Sequence, residues 1–306
     1  MFEGATTRSG VGLSFWRKVG PRAGAGHTRG VVHTPVTTAL VLCAGYGTRL
    51  RPLTDERPKP LMPLGDRTLL AHIAGRLQGF GIERLILNAH HLSPAIERAA
   101  TALSATLVHE AQILGTAGGV KGAGAHVPEG ERLLVHNGDI VANLDWAALS
   151  APSDVSVLAL TGPLAPGKGT VGVDARGNVV RLRTDERFGH EVAGGDYAGI
   201  CVVPFASLPA MPTEGCLVGD VWLPALRRGH ALEARFALRS FIDIGTPQSY
   251  LAAHRQWLAG RSNYIAPRAE VAPGVELRRT VIGAGALVRG KGPVSDCVVW
   301  PGATLT

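Results

Sequence analysis

From residue 38 onward, short apolar runs alternate with stretches of helical spacing, and no other feature of the chain limits its fold as tightly. Residues 38–43 (TALVLC) form an apolar run of the kind found in a strand covered on both faces. Residues 69–78 (LLAHIAGRLQ) and 94–102 carry helical spacing, and residues 85–88, 105–108 and 132–137 (RLLVHN) read as further strands. Strand and helix in alternation require parallel strands joined by helical crossovers, which predicts a Rossmann-like α/β fold with a mixed, mainly parallel sheet. With 306 residues, 45% of them hydrophobic, the chain can bury one full core and still build a small second unit.

The second half is less regular. Residues 154–160, 170–173 and 179–182 read as strands, the last two joined by a hairpin turn at Gly177. Residues 196–203 and 233–244 give two more, with a helix over 218–228 interrupted at Pro224 and another over 247–258 that has proline in its first turn. Beyond residue 261 the pattern changes. Ile265, Val271 and Leu277 recur every six residues, and the pairs Val281, Leu287 and Val299, Leu305 repeat the spacing after phase shifts. Hexads separated by glycine and small residues suit a short left-handed parallel β-helix. The expected organisation is a flexible extension over 1–36, a catalytic domain over 37–261 and a partial β-helix over 262–306.

The formal charge of +7 is uneven. Residues 1–36 hold five basic residues against Glu3, a net of +4, which leaves only +3 for the rest and gives no basis for a nucleic-acid groove. Cys43, Cys201, Cys216 and Cys297 are far apart and form no CxxC pair, which suits a reducing cytoplasm. No apolar run reaches the roughly 18 residues of a membrane span. The chain therefore reads as cytoplasmic, with no membrane partner.

The chemistry concentrates in residues 45–61. Gly45 and Gly47 follow the first strand directly and let backbone N–H groups approach phosphate oxygens, with Thr48 beside them. Arg49, Arg51 and a proline-flanked Lys59 supply charge to neutralise a triphosphate. The segment lacks GxxxxGK[ST] and the third glycine of the dinucleotide fingerprint. Further on, Asp139 ends an apolar strand in Asn137-Gly-Asp, and Asp243 ends another in Phe241-Ile-Asp-Ile-Gly-Thr-Pro. Carboxylates at the carboxyl ends of strands stand where open α/β sheets bind ligands. His90 and His91 have no carboxylate at ligand spacing and read as loop residues, while Trp146, Trp222 and Trp257 read as packing residues.

GYGTRLRPLTDERPKPLMPL resembles the signature of the sugar-1-phosphate nucleotidylyltransferases, or NDP-sugar pyrophosphorylases. The resemblance implies an enzyme that joins an NTP to a sugar 1-phosphate and releases pyrophosphate. It makes Arg49 and Lys59 the catalytic cations, and Gly45, Gly47, Thr48, Arg49, Glu110, Gly115 and Thr116 the nucleotide site. Mg²⁺ would be held by Asp139 and Asp243. For the sugar it implies Gly199, in Asp196-Tyr-Ala-Gly-Ile; Glu214 or Asp220 has the chemistry to accept from sugar hydroxyls, with a solvated surface role as the alternative. The family's Glu-Lys-Pro is replaced by Arg181-Leu-Arg-Thr-Asp-Glu186, so Arg183 is the candidate substitute for its lysine.

The tail and VVWPGA are similar to mannose-1-phosphate guanylyltransferase-like members, which favours GTP and a mannose-like sugar. GTAGG and the absent Glu-Lys-Pro are similar to uridylyltransferases that act on amino-sugar phosphates. A regulatory subunit without catalysis is a further alternative. An acyltransferase role for the tail is disfavoured because no histidine follows His254; the tail is instead expected to pack or to form homo-oligomer contacts.

Overall fold

The computed structural model describes residues 36–306, so the extension read over 1–36 lies outside the described residues except for Val36. Thr38–Leu42 (β1) is the strand on which the larger unit is built. Its side chains alternate between two cores, with Ala39 and Val41 on one face and Leu40 on the other. This explains why the run has no polar face. Leu69–Gly79 (α1) and Ser93–Ala102 (α2) cover the first face through Leu70, Ile73, Leu77, Ile96 and Ala100. Gly115–Gly124 (α3) covers the second through Ala117, Val120 and Ala123. Thr68 caps α1 by accepting from the Ala71 N–H at 3.2 Å.

The other strands of this unit are Arg84–Ala89 (β2), Thr106–His109 (β3), Arg132–Asn137 (β4), Ile140–Leu144 (β5), Val157–Leu160 (β6), Val171–Val173 (β7), Val179–Leu182 (β8), Ala193–Gly195 (β9), Tyr197–Pro204 (β10), Glu233–Arg235 (β11) and Leu238–Asp243 (β12). Seven of them form one sheet in the order β11-β6-β10-β4-β1-β2-β3. All neighbours in it are parallel except β10, which runs against both β6 and β4. The fold is therefore α/β with a mixed, mainly parallel sheet. β7, β8 and β9 make a small antiparallel sheet whose hairpin turns at Gly177, as its sequence predicts.

Two expectations are corrected in this unit. Residues 233–244 are two strands, not one: the chain turns sharply at Phe236-Ala237, where the Ala237 N–H bonds the Arg235 carbonyl at 2.7 Å. Its first part then edges the large sheet beside β6, and its second pairs antiparallel with β5. The helix expected over 218–228 begins as wide π-type turns over Leu217–Trp222 and becomes α-helical only over Leu223–Arg227. Pro224 lacks the N–H that a regular helix would use there.

A buried ion cluster ties the small sheet to its loops. The Glu191 carboxylate accepts from Arg181 Nε at 2.9 Å and Nη2 at 3.0 Å, from Arg187 at 2.6 Å and from the Gly167 N–H at 2.6 Å. The Arg181 hydrogen bonds lead in holding this carboxyl down at about 2, helped by the Gly167 N–H and the charges of Arg181 and Arg187 against the opposing effect of burial.

The second compact unit comprises residues 63–67 and 246–306. Pro247–Leu258 (α4) starts with a capping box between Thr246 and Ser249. After it come three small parallel sheets, in which every paired residue lies 17 positions from its partner, as in Asn263 with Thr280, Glu270 with Leu287, Val275 with Gly292 and Val281 with Val298. The phase of the middle repeat is thereby corrected. Ile282 and Val288 join Ala286 and Val299 in the inner core, where the six-residue pattern expects Val281 and Leu287. A 17-residue register is one short of three six-residue repeats, which moves the buried position by one. Val271, Leu277 and Leu305 pack against this core as expected, whereas Ile265 is 50% exposed.

Replacing Glu191 by Ala strands the buried Arg181 and should cost about 3 kcal/mol in urea unfolding at pH 7. The folded carboxyl titrates at about 2, against an ordinary value of 4.5. Its stabilisation is therefore complete above 4.5 and is lost as pH falls toward 2. The gap between wild type and Glu191→Ala should narrow over that range.

Candidate nucleotide-transfer site

Residues from four strand ends converge on one cleft of about 370 Å³ at the carboxyl edge of the large sheet. Gly45, Gly47, Thr48, Arg49, Lys59, Glu110, Gly115, Thr116 and Asp139 all line it, together with Cys43, Asn88, Ile113, Asn137 and Gly245. The loop after β1 is pinned from below by the fully buried Leu50 and braced by Thr54, whose hydroxyl donates to the Gly47 carbonyl at 2.9 Å. Lys59 projects from a single turn between Pro58 and Pro60, and its ammonium forms an ion pair with the Asp139 carboxylate.

Asp139 and Asp243 are brought together by strand pairing. Asp243 stands opposite Ile140 in the β12–β5 ladder, and the Ile244 N–H donates to the Asp139 carbonyl at 3.1 Å. Arg49 is close by: a Cβ built on Gly245 would lie 3.1 and 3.2 Å from its guanidinium nitrogens and 3.2 Å from Asp243 Oδ1. Among the described residues no group of three or more His, Cys, Asp or Glu could enclose a metal. Two carboxylates fit Mg²⁺, which takes one or two protein carboxylates and completes its shell with phosphate oxygens and water.

The opposite end of the cleft is built around Glu110. Its Oε1 accepts from Asn88 Nδ2 at 2.7 Å and its Oε2 from the Leu114 N–H at 3.1 Å, while Asn88 Oδ1 accepts from the Cys43 N–H at 2.6 Å. Gly115 has φ of 73°, and a Cβ there would sit 2.4 Å from the Gly215 carbonyl oxygen, so only glycine opens α3 this closely. Thr116 accepts from the Leu217 N–H at 2.8 Å. His90 and His91 are loop residues, but not idle ones. His90 bonds the Glu110 carbonyl at 2.9 Å and Tyr46 Oη at 3.3 Å, and His91 bonds the Thr54 carbonyl at 3.3 Å.

Two buried groups beneath the cleft are electrically quiet at neutral pH. Burial, then the negative charge of Asp139, pushes the Cys43 thiol far above its ordinary range. Burial also presses His136 down to about 4, against the opposing pull of the Asn137 carbonyl and the Asp139 charge. Its Nδ1–H donates to the Asn137 carbonyl at 2.8 Å.

The sugar-side candidates are not themselves among the lining residues. Neither Gly199 nor Arg183 lines the cleft. Arg183 sits with its guanidinium 5.7 Å from the centre of the Tyr197 ring, and Gly199 packs against the side chain of Asn137. Glu214 and Asp220 are exposed, and Asp220 accepts from the Cys216 N–H at 2.6 Å. Sequence reasoning missed Asn88, Asn137 and Gly245. A lone amide inside or ending an apolar strand, as in RLILNA and RLLVHN, is the available signal for the first two.

Residues 38–162 match the family model described as nucleotidyl transferase. Over 117 residues the chain is 37% identical to the mannose-1-phosphate guanylyltransferase of Mycobacterium tuberculosis, covering 36% of this chain and 32% of that protein. Over 121 residues it is 38% identical to the N-acetylmuramate alpha-1-phosphate uridylyltransferase of Caulobacter vibrioides, covering 37% and 50%. Over its first half the chain is similar to sugar-1-phosphate nucleotidylyltransferases. A longer match, 27% identical over 252 residues, is to the mannose-1-phosphate guanylyltransferase catalytic subunit beta of Drosophila melanogaster and covers 78% of this chain and 68% of that protein. The matches thus span a third to a half of the first two relatives' length and about two thirds of the third. Among solved structures, the crystal structure of HddC from Yersinia pseudotuberculosis shares the fold, with a TM-score of 0.59 at 22% identity over 72% of this chain and 100% of that one. No described helix is long and apolar enough to cross a membrane.

His136 titrates at about 4 when folded and at 6.5 as an ordinary histidine, so the unfolded chain binds the extra proton between those values. Its contribution is intact above pH 6.5 and is lost as pH falls toward 4. Urea midpoints measured across that window should decline for the wild type and decline less for His136→Gln.

Proposed function

We propose that the protein transfers a nucleotidyl group from an NTP to a sugar 1-phosphate, with GTP and a mannose-like sugar preferred. The observation that carries this reading is that Arg49, Lys59 and Asp139 line one cleft with Glu110, while the β12–β5 ladder brings Asp243 beside Asp139. A phosphate oxygen of the sugar 1-phosphate forms the new bond to the α-phosphorus, and the bond to the leaving pyrophosphate breaks. The nucleophile is already ionised at pH 7, so no general base is required. The catalytic work is alignment and charge neutralisation.

In this reading the backbone of Gly45, Gly47 and Thr48 binds the triphosphate, Arg49 stabilises the departing β and γ phosphates, and Lys59 binds phosphate beside the reacting centre. Asp139 and Asp243 would hold Mg²⁺, which would supply further neutralisation of phosphate charge. The two prolines around Lys59 limit its backbone, so less freedom is lost when it meets phosphate.

The preference for guanine rests on Glu110, each of whose oxygens accepts one protein N–H and keeps a second lone pair for a ligand. A carboxylate only accepts hydrogen bonds. Guanine offers adjacent donors at N1 and N2, whereas uracil offers one N–H flanked by two carbonyl oxygens that a carboxylate repels. The 17-residue period of residues 263–305 supports a left-handed β-helix for the tail, with a role in packing or subunit contact.

Pyrophosphate release from a panel of NTPs and sugar 1-phosphates should be greatest with GTP and fall at least about 100-fold in Lys59→Ala or Asp139→Asn, with circular dichroism unchanged. Equal turnover in either variant would refute the transfer reading. In Glu110→Gln the ratio of kcat/KM for GTP over UTP should drop by about tenfold or more; an unchanged ratio would remove the guanine preference alone.

A further inference from the structure

Strand order lays the proposed substrates out along one edge of the sheet. Asn88 and Glu110 belong to β2 and the end of β3, the phosphate loop follows β1, and Asp139 follows β4. The next strand over is β10. Because β10 is antiparallel to β4, with Ile200 opposite His136, its beginning lies at the cleft edge, and Gly199 comes to rest against Asn137.

Asn137 is the last residue of β4, half buried, and lines the cleft beside Asp139. Its neighbours in the cleft are already engaged: Asn88 with Glu110, Glu110 with Leu114, and Lys59 with Asp139. The side-chain amide of Asn137, in contrast, makes no hydrogen bond to another described residue. Its backbone carbonyl is what His136 uses.

The amide is nevertheless given a made-to-measure seat. Gly199 has φ of 79°, and a Cβ there would fall 2.1 Å from Asn137 Nδ2 and 2.4 Å from its Cγ. Any other residue would evict the amide. The glycine at 199 is thus accounted for by the side chain lying on it, without invoking a ligand at its own backbone. A positioned amide keeps two donors and an acceptor for a ligand rich in oxygen atoms.

We propose that Asn137, seated on Gly199, is a binding residue for the sugar 1-phosphate. This rests on the transfer reading above and adds to it a contact on the far side of Asp139 from the nucleobase. The amide hydrogen-bonds oxygen atoms of the sugar phosphate, so its loss weakens that substrate and leaves the nucleotide untouched.

The test is steady-state pyrophosphate release by the full-length protein. In Asn137→Ala, KM for the sugar 1-phosphate should rise about tenfold, the equivalent of one lost hydrogen bond of about 1.4 kcal/mol. KM for the NTP should stay within about twofold. Asn137→Asp keeps the shape and the acceptors, so it separates two parts of the ligand: partial rescue places the amide at a hydroxyl, and a loss greater than that of Ala places it at the phosphate. An unchanged sugar-phosphate KM in Asn137→Ala, or an equal rise in both KM values, overturns the proposal. Calorimetry with GTP alone keeps the two readings apart. If wild type binds GTP but releases no pyrophosphate with any sugar 1-phosphate, the transfer reading itself fails; if wild type turns over and Asn137→Ala behaves identically, only the role of Asn137 fails.

Discussion

Three segments remote in sequence are fastened to residues 138 and 139. The Gly138 N–H donates to the Leu42 carbonyl at 3.0 Å, the Ile244 N–H donates to the Asp139 carbonyl, and the Asp139 carboxylate holds the Lys59 ammonium. The first bond continues the β1–β4 ladder into the turn, and the second carries the β5–β12 ladder past its end. Both aspartates, the lysine and the mouth of the glycine loop take their relative positions from this one node. The ion pair adds charge complementarity to a geometry that backbone bonds have already fixed.

The same node explains how little freedom the cleft has. Gly245 is followed closely by Arg49 and Asp243, Gly138 by Leu42 and Pro60, and Gly119 by Leu42 and Asn88. Polar groups packed at such distances need fixed partners, and most have them. Where no partner is found among the described residues, at the amide of Asn137, the fold still supplies a seat on Gly199. A side chain held in place but left unbonded is preorganised at low entropic cost.

Legibility in the sequence followed the range of the interactions involved. α1 and α4 are readable because their apolar spacing and caps are local, and β1 because a strand buried twice has no polar face to confuse the pattern. The break at Phe236-Ala237 is not readable, since it depends on which strand each half pairs with. The tail's phase was ambiguous for a plainer reason: Val281-Ile282 and Leu287-Val288 are apolar pairs, and only the 17-residue register chooses between their members. At the site, Arg49, Lys59 and Asp139 stand out through spacing to glycine and proline. Arg183 is suggested by its place in the segment that replaces Glu-Lys-Pro and by its charge, and neither says that a guanidinium will settle over Tyr197. Asn88 and Asn137 passed unnoticed because an asparagine near a strand end is also an ordinary turn former.

The reversed direction of β10 has an effect on how such a molecule can change. The parallel strands β1, β2, β3 and β4 reach the cleft with a helix or long connection behind them, and altering that approach means repacking a core face. β10 arrives from the small sheet of β7, β8 and β9, which has its own ion cluster around Glu191 and its own turn at Gly177. The exposed loops within residues 161–196 can therefore change length or charge while the apolar residues of the small sheet keep their place in the core shared with α3. One half of the cleft is free to drift while the other stays fixed, and a single scaffold can keep one chemistry while exchanging what it acts upon.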